Sequence, residues 1–191
     1  MKRSTALSLP NLLTYGRCRA VPAVVWLRFW PNEGWARWWA LGIFVAAAIT
    51  DYFDGYLARA WNQQSALGRM LDPIADKLLV AAVLLMLVAH GSIASWNIWA
   101  AIVILLREIL VSGLREFLAE LKVSVPVSNV AKYKTTVQLV ALGFLVAGPA
   151  GDAVFPFTTW TGLVLLWAAA LLTLYTGWDY MRAGLRYLVE D

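Results

Sequence analysis

Four aspartates and one arginine occupy fixed positions in a short stretch between two strongly apolar runs. Asp51 and Asp54 are three residues apart, whereas Asp72 and Asp76 are four apart. On an α-helix, each of these intervals places both members of a pair on one face. A carboxylate near lipid is costly unless it is paired or bound to a cation. The stretch therefore predicts a site at which charged groups are held together.

Two antiparallel helices joined by a short polar link would bring both aspartate pairs to one place. Residues 61–65 form such a link, and Gly55 and Ala58 leave room for a bulky ligand beside the first helix. Four neighbouring carboxylates repel one another at neutral pH. Hard divalent cations take oxygen ligands and also bind phosphate oxygens, so Mg²⁺ or Mn²⁺ is the expected partner of these carboxylates.

Each aspartate pair, taken alone, also has a purely structural explanation. Asp51 and Asp54 are compatible with a helix that ends in water. Asp72 followed by Pro73 is typical of a helix N-cap with proline at the first helical position. The two pairs together, with glycines and an arginine at fixed intervals between them, favour a functional site.

This stretch resembles the signature of the CDP-alcohol phosphotransferases. The signature reads Asp-x-x-Asp-Gly-x-x-Ala-Arg, eight residues, Gly, three residues, Asp, three residues, Asp. It is matched without a departure by Asp51, Asp54, Gly55, Ala58, Arg59, Gly68, Asp72 and Asp76. Members of that family are membrane enzymes that transfer a phosphatidyl or similar phosphoryl group from a CDP-linked donor to an alcohol and release CMP.

The resemblance also implies a role for each matching residue. Asp51, Asp54 and Asp72 would bind one of two Mg²⁺ or Mn²⁺ ions. Asp76 would help to bind the second ion and would act as the general base. A similar Pro-Asn-x-x-Thr-x-x-Arg pattern occurs near the N-terminus of family members. The implied contacts to the CDP donor are Asn11, Thr14, Arg17, Gly55, Ala58, Arg59 and Gly68.

The composition identifies the elements that must position these residues. Hydrophobic residues make up 61% of the 191-residue chain, which has 11 tryptophans and a mean hydropathy of +0.64, far above the apolar share of a soluble domain. The single Cys18 excludes an internal disulfide, and the single His90 excludes a histidine-based metal site. Residues 1–191 are therefore expected to form one all-α membrane domain.

Six transmembrane helices are expected, after a short interfacial segment at residues 1–9. Their approximate bounds are 10–30, 35–59, 72–90, 95–117, 129–148 and 155–175. Basic residues concentrate at both termini and in the second and fourth connections, which predicts that these parts and the aspartates face the cytoplasm. The expected location is the inner membrane of a bacterium.

A second group of charged residues suggests what accepts the transferred group. Its basic members are Arg107, Arg115, Lys132 and Lys134. They could merely mark the positive side of a membrane protein, but beside an acidic centre they favour a pocket for a phosphate-bearing acceptor. Residues 107–117 and 131–138 look like segments of bacterial phosphatidylglycerophosphate synthases, a branch of the same family. The implied reaction converts CDP-diacylglycerol and glycerol 3-phosphate to phosphatidylglycerophosphate and CMP.

Other functions are compatible with parts of this pattern. A sister enzyme that uses phosphatidylglycerol, inositol phosphate or serine would keep the aspartates and differ in the basic pocket. A membrane prenyltransferase would carry two aspartate-rich motifs far apart in sequence, and a cation transporter would not need Gly55, Ala58 and Arg59. The expected partners are the two substrates, membrane lipids and, by family resemblance, a second copy of the chain in a homodimer, but not nucleic acid.

Overall fold

The computed structural model describes the backbone of residues 9–29, 34–61, 66–121 and 129–189. These ranges contain six helices and no strand, which confirms the all-α prediction. The helices are α1 (Leu9–Arg28), α2 (Gly34–Trp61), α3 (Ala66–Ala89), α4 (Asn97–Glu120), α5 (Asn129–Asp152) and α6 (Thr158–Val189). Only the backbone is described for 9–14, 51–61, 66–70, 72, 73, 129, 131, 132 and 186–189. The predicted interfacial segment, apart from residue 9, lies outside the described residues.

Helix α3 begins at Ala66, so the predicted start near Asp72 is wrong, and the alternative explanation of Asp72 as the N-cap of this helix does not hold. The residues from Ala66 to Leu71 are mostly good helix formers, which explains the earlier start. Pro73 therefore lies inside the helix, where its missing N–H removes one backbone hydrogen bond. Asp72 and Asp76 remain on one helix face, because the helix contains both.

The last two helices also differ from the predicted bounds. Helix α5 continues to Asp152 across a kink at Gly148, whose φ of 48° and ψ of −132° are not helical. Helix α6 continues to Val189 and does not end near Tyr175. Charged residues such as Asp179 indicate that this part of the chain leaves the membrane. Charge alone does not end a helix, and no proline follows within α6, so the helix continues.

Helices α2 and α3 share two packing partners. Helix α1 packs against both of them, and α5 packs against α2, α3 and α6. Helix α4 completes the bundle by packing against α3 and α6. The largest fully buried apolar side chains of the described core are Phe44, Leu79, Leu84, Leu87, Ile93, Ile104, Leu118, Leu142, Leu145 and Leu166. The shared partners fix the relative positions of the two aspartate-bearing helices.

The outer surface of the bundle is apolar as well. Leu85, Leu106, Ile109 and Leu171 are each more than 60% exposed. By length and composition, α4 (Asn97–Glu120) and the Thr158–Leu185 part of α6 are sufficient to cross a membrane. Large apolar side chains on the outside of a helical bundle are suited to lipid contact. The fold is that of a polytopic membrane bundle.

The bundle has two chemically different ends. At the aspartate end, α2 finishes and α3 begins. At the opposite end, which we call the far end, Phe29 after α1 contacts His90 after α3 with ring centroids 5.6 Å apart. Residues 90–92 form a turn there, and Gly91 adopts a φ of 70°, which favours glycine.

Candidate active site

The four predicted metal ligands lie at the aspartate end. Asp51 and Asp54 are on the last turns of α2, and Asp72 and Asp76 are on the first turns of α3. Asp76 is the one whose side chain is described: it is half-buried and close enough to Lys134 to attract its ammonium group. The other predicted residues of this stretch have only their backbone described, in α2 or α3. They are Asp51, Asp54, Gly55, Ala58, Arg59, Gly68 and Asp72.

The donor chemistry of this end fits a hard divalent cation. All four predicted ligands offer carboxylate oxygens, and both pairs adjoin the same link at residues 62–65. Among the residues whose side chains are described, no group of three histidine, cysteine or carboxylate side chains is placed to hold a metal ion. Three of the four aspartates lie outside that set, so the metal site stays a prediction.

Helix α1 brings the third predicted part of the site beside both aspartate helices. Asn11 and Thr14 lie on its first turns, with only their backbone described. Arg17 is buried, with 1% of its surface exposed, whereas Arg19 is exposed. The predicted roles of Arg17 in a nucleotide pocket and of Arg19 at the lipid headgroups stay predictions.

A buried ionic cluster joins three helices next to Asp76. Glu108 Oε1 on α4 accepts hydrogen bonds from Lys134 Nζ on α5 and from Arg107 Nη1, the latter at 3.3 Å. Arg107 Nη2 also donates to Thr176 Oγ1 on α6 at 3.2 Å. Lys134 is only 4% exposed. Such a cluster is stable because each buried charge has a partner of opposite sign.

A cavity of about 270 Å³ opens beside this cluster. Its lining is Lys77, Arg107, Glu108, Val111, Ser112, Arg115, Glu116 and Ala119. Lys77, which directly follows Asp76, donates a hydrogen bond to Ser112. The Arg115 guanidinium carbon lies 5.6 Å from the centre of the Tyr180 ring, within the range of a cation–π contact. The cavity thus presents three cationic side chains, and one of them, Lys77, directly follows Asp76 in the chain.

The structure brings together three of the four predicted acceptor residues. Arg107 and Arg115 line the cavity, and Lys134 reaches it through Glu108. The side chain of Lys132 is not described. Glu108 and Glu116, which directly follow the two arginines in the chain, line the same cavity.

Residues missed by the sequence interpretation lie on other helices. Lys77 carried a signal, because it is charged and follows an aspartate of the motif. Thr176 and Tyr180 carried none, because their partners on α4 are more than sixty residues away in sequence. Contacts of that separation depend on how α4 and α6 pack, which no local spacing indicates.

An apolar groove of about 830 Å³ runs between α2 and α5. On α2 it extends from Trp38 to Ile49, about three helical turns or roughly 16 Å. Ile49 is two residues before Asp51. The groove therefore connects the aspartate end with the apolar middle of the bundle.

The sequence model of the CDP-alcohol phosphatidyltransferase family matches residues 7–175 of the chain. The chain belongs to this family. Curated relatives cover nearly its whole length. A protein from Rickettsia bellii is 47% identical across 94% of this chain and 97% of its own. Proteins from Cereibacter sphaeroides and Escherichia coli K12 are 40% and 39% identical, each across 96% of this chain and 98% of their own. All three are named CDP-diacylglycerol--glycerol-3-phosphate 3-phosphatidyltransferase.

As a member of the CDP-alcohol phosphatidyltransferases, the chain is a membrane transferase of phospholipid biosynthesis. The family match includes α1 to α5 and the part of α6 up to residue 175. It therefore contains both aspartate pairs and the basic residues of α4 and α5. Thr176 and Tyr180, which contact Arg107 and Arg115, lie just beyond it.

Proposed function

We propose that the chain transfers the phosphatidyl group of CDP-diacylglycerol to glycerol 3-phosphate, which gives phosphatidylglycerophosphate and CMP. The observation that carries this proposal is the 270 Å³ cavity whose cationic lining consists of Arg107, Arg115 and Lys77, the residue that follows Asp76 in the chain. Glycerol 3-phosphate differs from a neutral alcohol by its phosphate group, and planar guanidinium groups bind phosphate oxygens through paired hydrogen bonds. The names of the relatives support the same acceptor.

In this mechanism Asp76 acts as the general base. It removes the proton from the acceptor hydroxyl, whose oxygen then attacks the β-phosphorus of the donor. The new bond joins that oxygen to phosphorus, and the bond between this phosphorus and the CMP oxygen breaks. Arg107 and Arg115 hold the acceptor phosphate so that its hydroxyl faces the donor.

Two Mg²⁺ or Mn²⁺ ions complete the proposed site. Asp51, Asp54 and Asp72 hold one ion, and Asp76 helps to hold the other. When bound, the ions supply neutralising charge for the donor diphosphate. Gly55, Ala58, Arg59 and Gly68, together with Asn11, Thr14 and Arg17 on α1, form the proposed seat of the cytidine nucleotide. Its support is that α1 packs against both aspartate helices.

The groove between α2 and α5 is the proposed place for the acyl chains of the donor. Its lining is almost wholly apolar, and Ile49 places one end two residues from Asp51. A diacylglycerol lipid held by its diphosphate at the aspartates would extend its chains away from them, along the bundle. The groove follows that direction for about three turns of α2.

The proposed orientation places the aspartate end and both termini in the bacterial cytoplasm. Its support is the basic residues of this side, among them Arg69, Lys122 and Lys132. Glycerol 3-phosphate and CDP-linked donors are charged, so a cytoplasmic site lets them reach the aspartates without crossing the membrane. A homodimer is proposed from family resemblance.

The test measures CMP release by the purified protein in detergent, supplied with CDP-diacylglycerol and Mg²⁺ or Mn²⁺. Glycerol 3-phosphate, phosphatidylglycerol, inositol phosphate and serine are supplied in separate reactions. Among these reactions, we expect CMP release only in the one that contains glycerol 3-phosphate. No CMP should be released after chelation of the metal. Asp76→Asn should abolish release, whereas Asp152→Asn, the same change at the far end, should not.

The possible outcomes separate the parts of the proposal. CMP release with a different alcohol would refute the assigned acceptor, but it would still support phosphatidyl transfer from the CDP-linked donor. Full release in the presence of chelator would refute the metal ions, and full activity of Asp76→Asn would refute the general base. A matched Arg107→Lys variant should raise the KM for glycerol 3-phosphate, because lysine keeps the charge but loses the paired hydrogen bonds.

A further inference from the structure

Two arginines lie side by side at the far end, away from the proposed reaction. Arg28 is the last residue of α1, and Arg37 lies on the first turn of α2. The two helix ends that carry them are joined by residues 29–33, so both arginines belong to the same end of the bundle. Arg28 is only 5% exposed. Two like charges, one of them almost fully buried, therefore lie together at the end of two packed helices.

Much of the hydrogen-bonding capacity of this pair is unused. Nε and Nη2 of Arg28 and Nη1 of Arg37 are buried and have no hydrogen-bond partner among the described residues. An uncompensated buried charge costs several kcal/mol, so such a pair is costly unless an anion accompanies it. The described carboxylate at this end is Asp152, and it is already bonded to Thr159, whose backbone N–H donates to it at 2.9 Å.

The backbone of α5 makes room for this pair. A Cβ at Gly148 would lie 2.7 Å from Arg37 Nη1, closer than any side chain could approach. Gly148 is also the point at which α5 kinks, with a φ of 48°. Glycine at the kink thus lets the Arg37 guanidinium lie directly against the α5 backbone. The surroundings of the two arginines are thus formed by three helices, α1, α2 and α5.

The surroundings place the arginine pair at the depth of lipid headgroups. Five aromatic residues next to it in sequence are 44–70% exposed: Trp26, Phe29, Trp35, Trp38 and Trp39. Exposed tryptophans concentrate where hydrocarbon meets water. At that depth phosphate groups of phospholipids are abundant, and each offers oxygens that match a guanidinium fork.

From these observations we infer that Arg28 and Arg37 form a binding site for a phosphate anion at the far end of the bundle, separate from the aspartates. The phosphate can belong to a phospholipid headgroup or be a free ion. Bound there, it accepts hydrogen bonds from the donors of both arginines and stabilises the packing of α1 on α2. The site requires no turnover, so it is independent of the proposed reaction.

The test uses the full chain in detergent with chelator present, so that the proposed metal site is not occupied. The probes are dioctanoyl phosphatidylglycerol, dioctanoylglycerol without phosphate, and inorganic phosphate against chloride of equal ionic strength. Bound lipid is counted by native mass spectrometry, and the unfolding midpoint is measured with each probe. The variants are Arg28→Gln, Arg37→Gln and, as controls, Arg107→Gln at the acceptor cavity and the exposed Arg19→Gln on α1.

We expect the wild type to hold one phosphatidylglycerol that both controls retain. Arg28→Gln and Arg37→Gln should each weaken its binding at least tenfold. Stabilisation by inorganic phosphate as well would identify the anion itself as the ligand, whereas stabilisation by the phospholipid alone would identify the headgroup. Dioctanoylglycerol should have no effect, because it lacks the phosphate.

Two results would overturn this inference. The first is equal lipid binding and equal stabilisation in the wild type and in folded Arg28→Gln and Arg37→Gln proteins. The second can be obtained even if the arginine variants do not fold. In it, neither phosphatidylglycerol nor inorganic phosphate stabilises the wild type beyond the chloride control, and Glu33→Gln lowers the unfolding midpoint. Glu33 lies in the link between α1 and α2, so the second result would mean that the chain supplies its own anion.

Discussion

Replacing Gly177 with alanine should displace Arg107 without changing any charge. A Cβ at this position would lie 3.0 Å from Arg107 Cγ and 3.4 Å from its Nε. Carbon atoms in contact prefer separations of about 3.5–4.0 Å, so Arg107 must move by roughly 0.5 Å. Its hydrogen bonds, 3.2 Å to Thr176 and 3.3 Å to Glu108, are already long, and this shift would break at least one of them.

The expected magnitude follows from the lost hydrogen bond. A hydrogen bond to a charged group contributes about 1.5–3 kcal/mol. The lower value is appropriate here, because the guanidinium is shifted and not removed. A loss of about 1.4 kcal/mol raises the KM for glycerol 3-phosphate about tenfold. The free energy of unfolding should fall by only about 0.5–1 kcal/mol, because the roughly 0.5–1 kcal/mol that alanine gains over glycine in a helix offsets part of the lost hydrogen bond.

The assay is CMP release as a function of each substrate concentration. Gly177→Ala should raise the KM for glycerol 3-phosphate while the KM for CDP-diacylglycerol stays within about twofold. Gly113→Ala is the matched control, because a Cβ on Gly113 of α4 meets nothing within 4 Å. An unchanged KM for glycerol 3-phosphate in Gly177→Ala, or an equal loss of affinity for both substrates, would refute the role assigned to the Arg107 contacts.

Three further changes test other parts of the structure. Glu108→Gln should lower the free energy of unfolding by about 1.5–3 kcal/mol, measured by denaturation in detergent, because two cations then face a neutral amide. Gly148→Ala should lower it by about 1–3 kcal/mol, because a φ of 48° is strained for any residue that has a side chain. Hydrogen bonds from the Thr159 side chain and backbone hold the pKa of Asp152 below its ordinary value of 3.8. The ionised carboxylate thus stabilises the fold above pH 3.8 and loses this effect below it, so Asp152→Asn should flatten the fall of the unfolding midpoint between about pH 5 and 3.

The sequence predicted the class of fold because membrane helices have a strong signal. Long apolar runs separated by charged or glycine-containing turns leave few alternatives to six helices. The helix ends were harder to predict. The expected start of α3 near Asp72 was wrong, because the residues before the Asp-Pro pair, from Ala66 to Leu71, are mostly good helix formers and extend the helix. The end near Tyr175 was wrong because polar residues can continue a helix beyond the membrane.

The candidate site was predictable to the extent that its residues share one helix. The spacing of Arg107 and Arg115 indicated a common face, and both line the cavity. The position of Glu108 between Arg107 and Lys134 was not predictable, because it depends on how α4 and α5 pack. For the same reason, nothing in the local sequence of Gly177 indicates that it contacts Arg107.

At both ends of the bundle a glycine lies close to an arginine from another helix, but the charged groups around the two arginines differ. Gly177 is close to Arg107, and Gly148, at the kink of α5, is close to Arg37. The aspartate end contains Glu108, whose carboxylate forms ion pairs with both Arg107 and Lys134 before any substrate binds. Among the described residues the other end has no carboxylate bonded to its arginines, so its charge is left for an external anion. A phosphate ligand at the acceptor cavity must therefore compete with Glu108 for the arginines. At the far end no described carboxylate competes with the ligand. We therefore expect phosphate to bind more tightly at the far end than at the acceptor cavity in the absence of substrate.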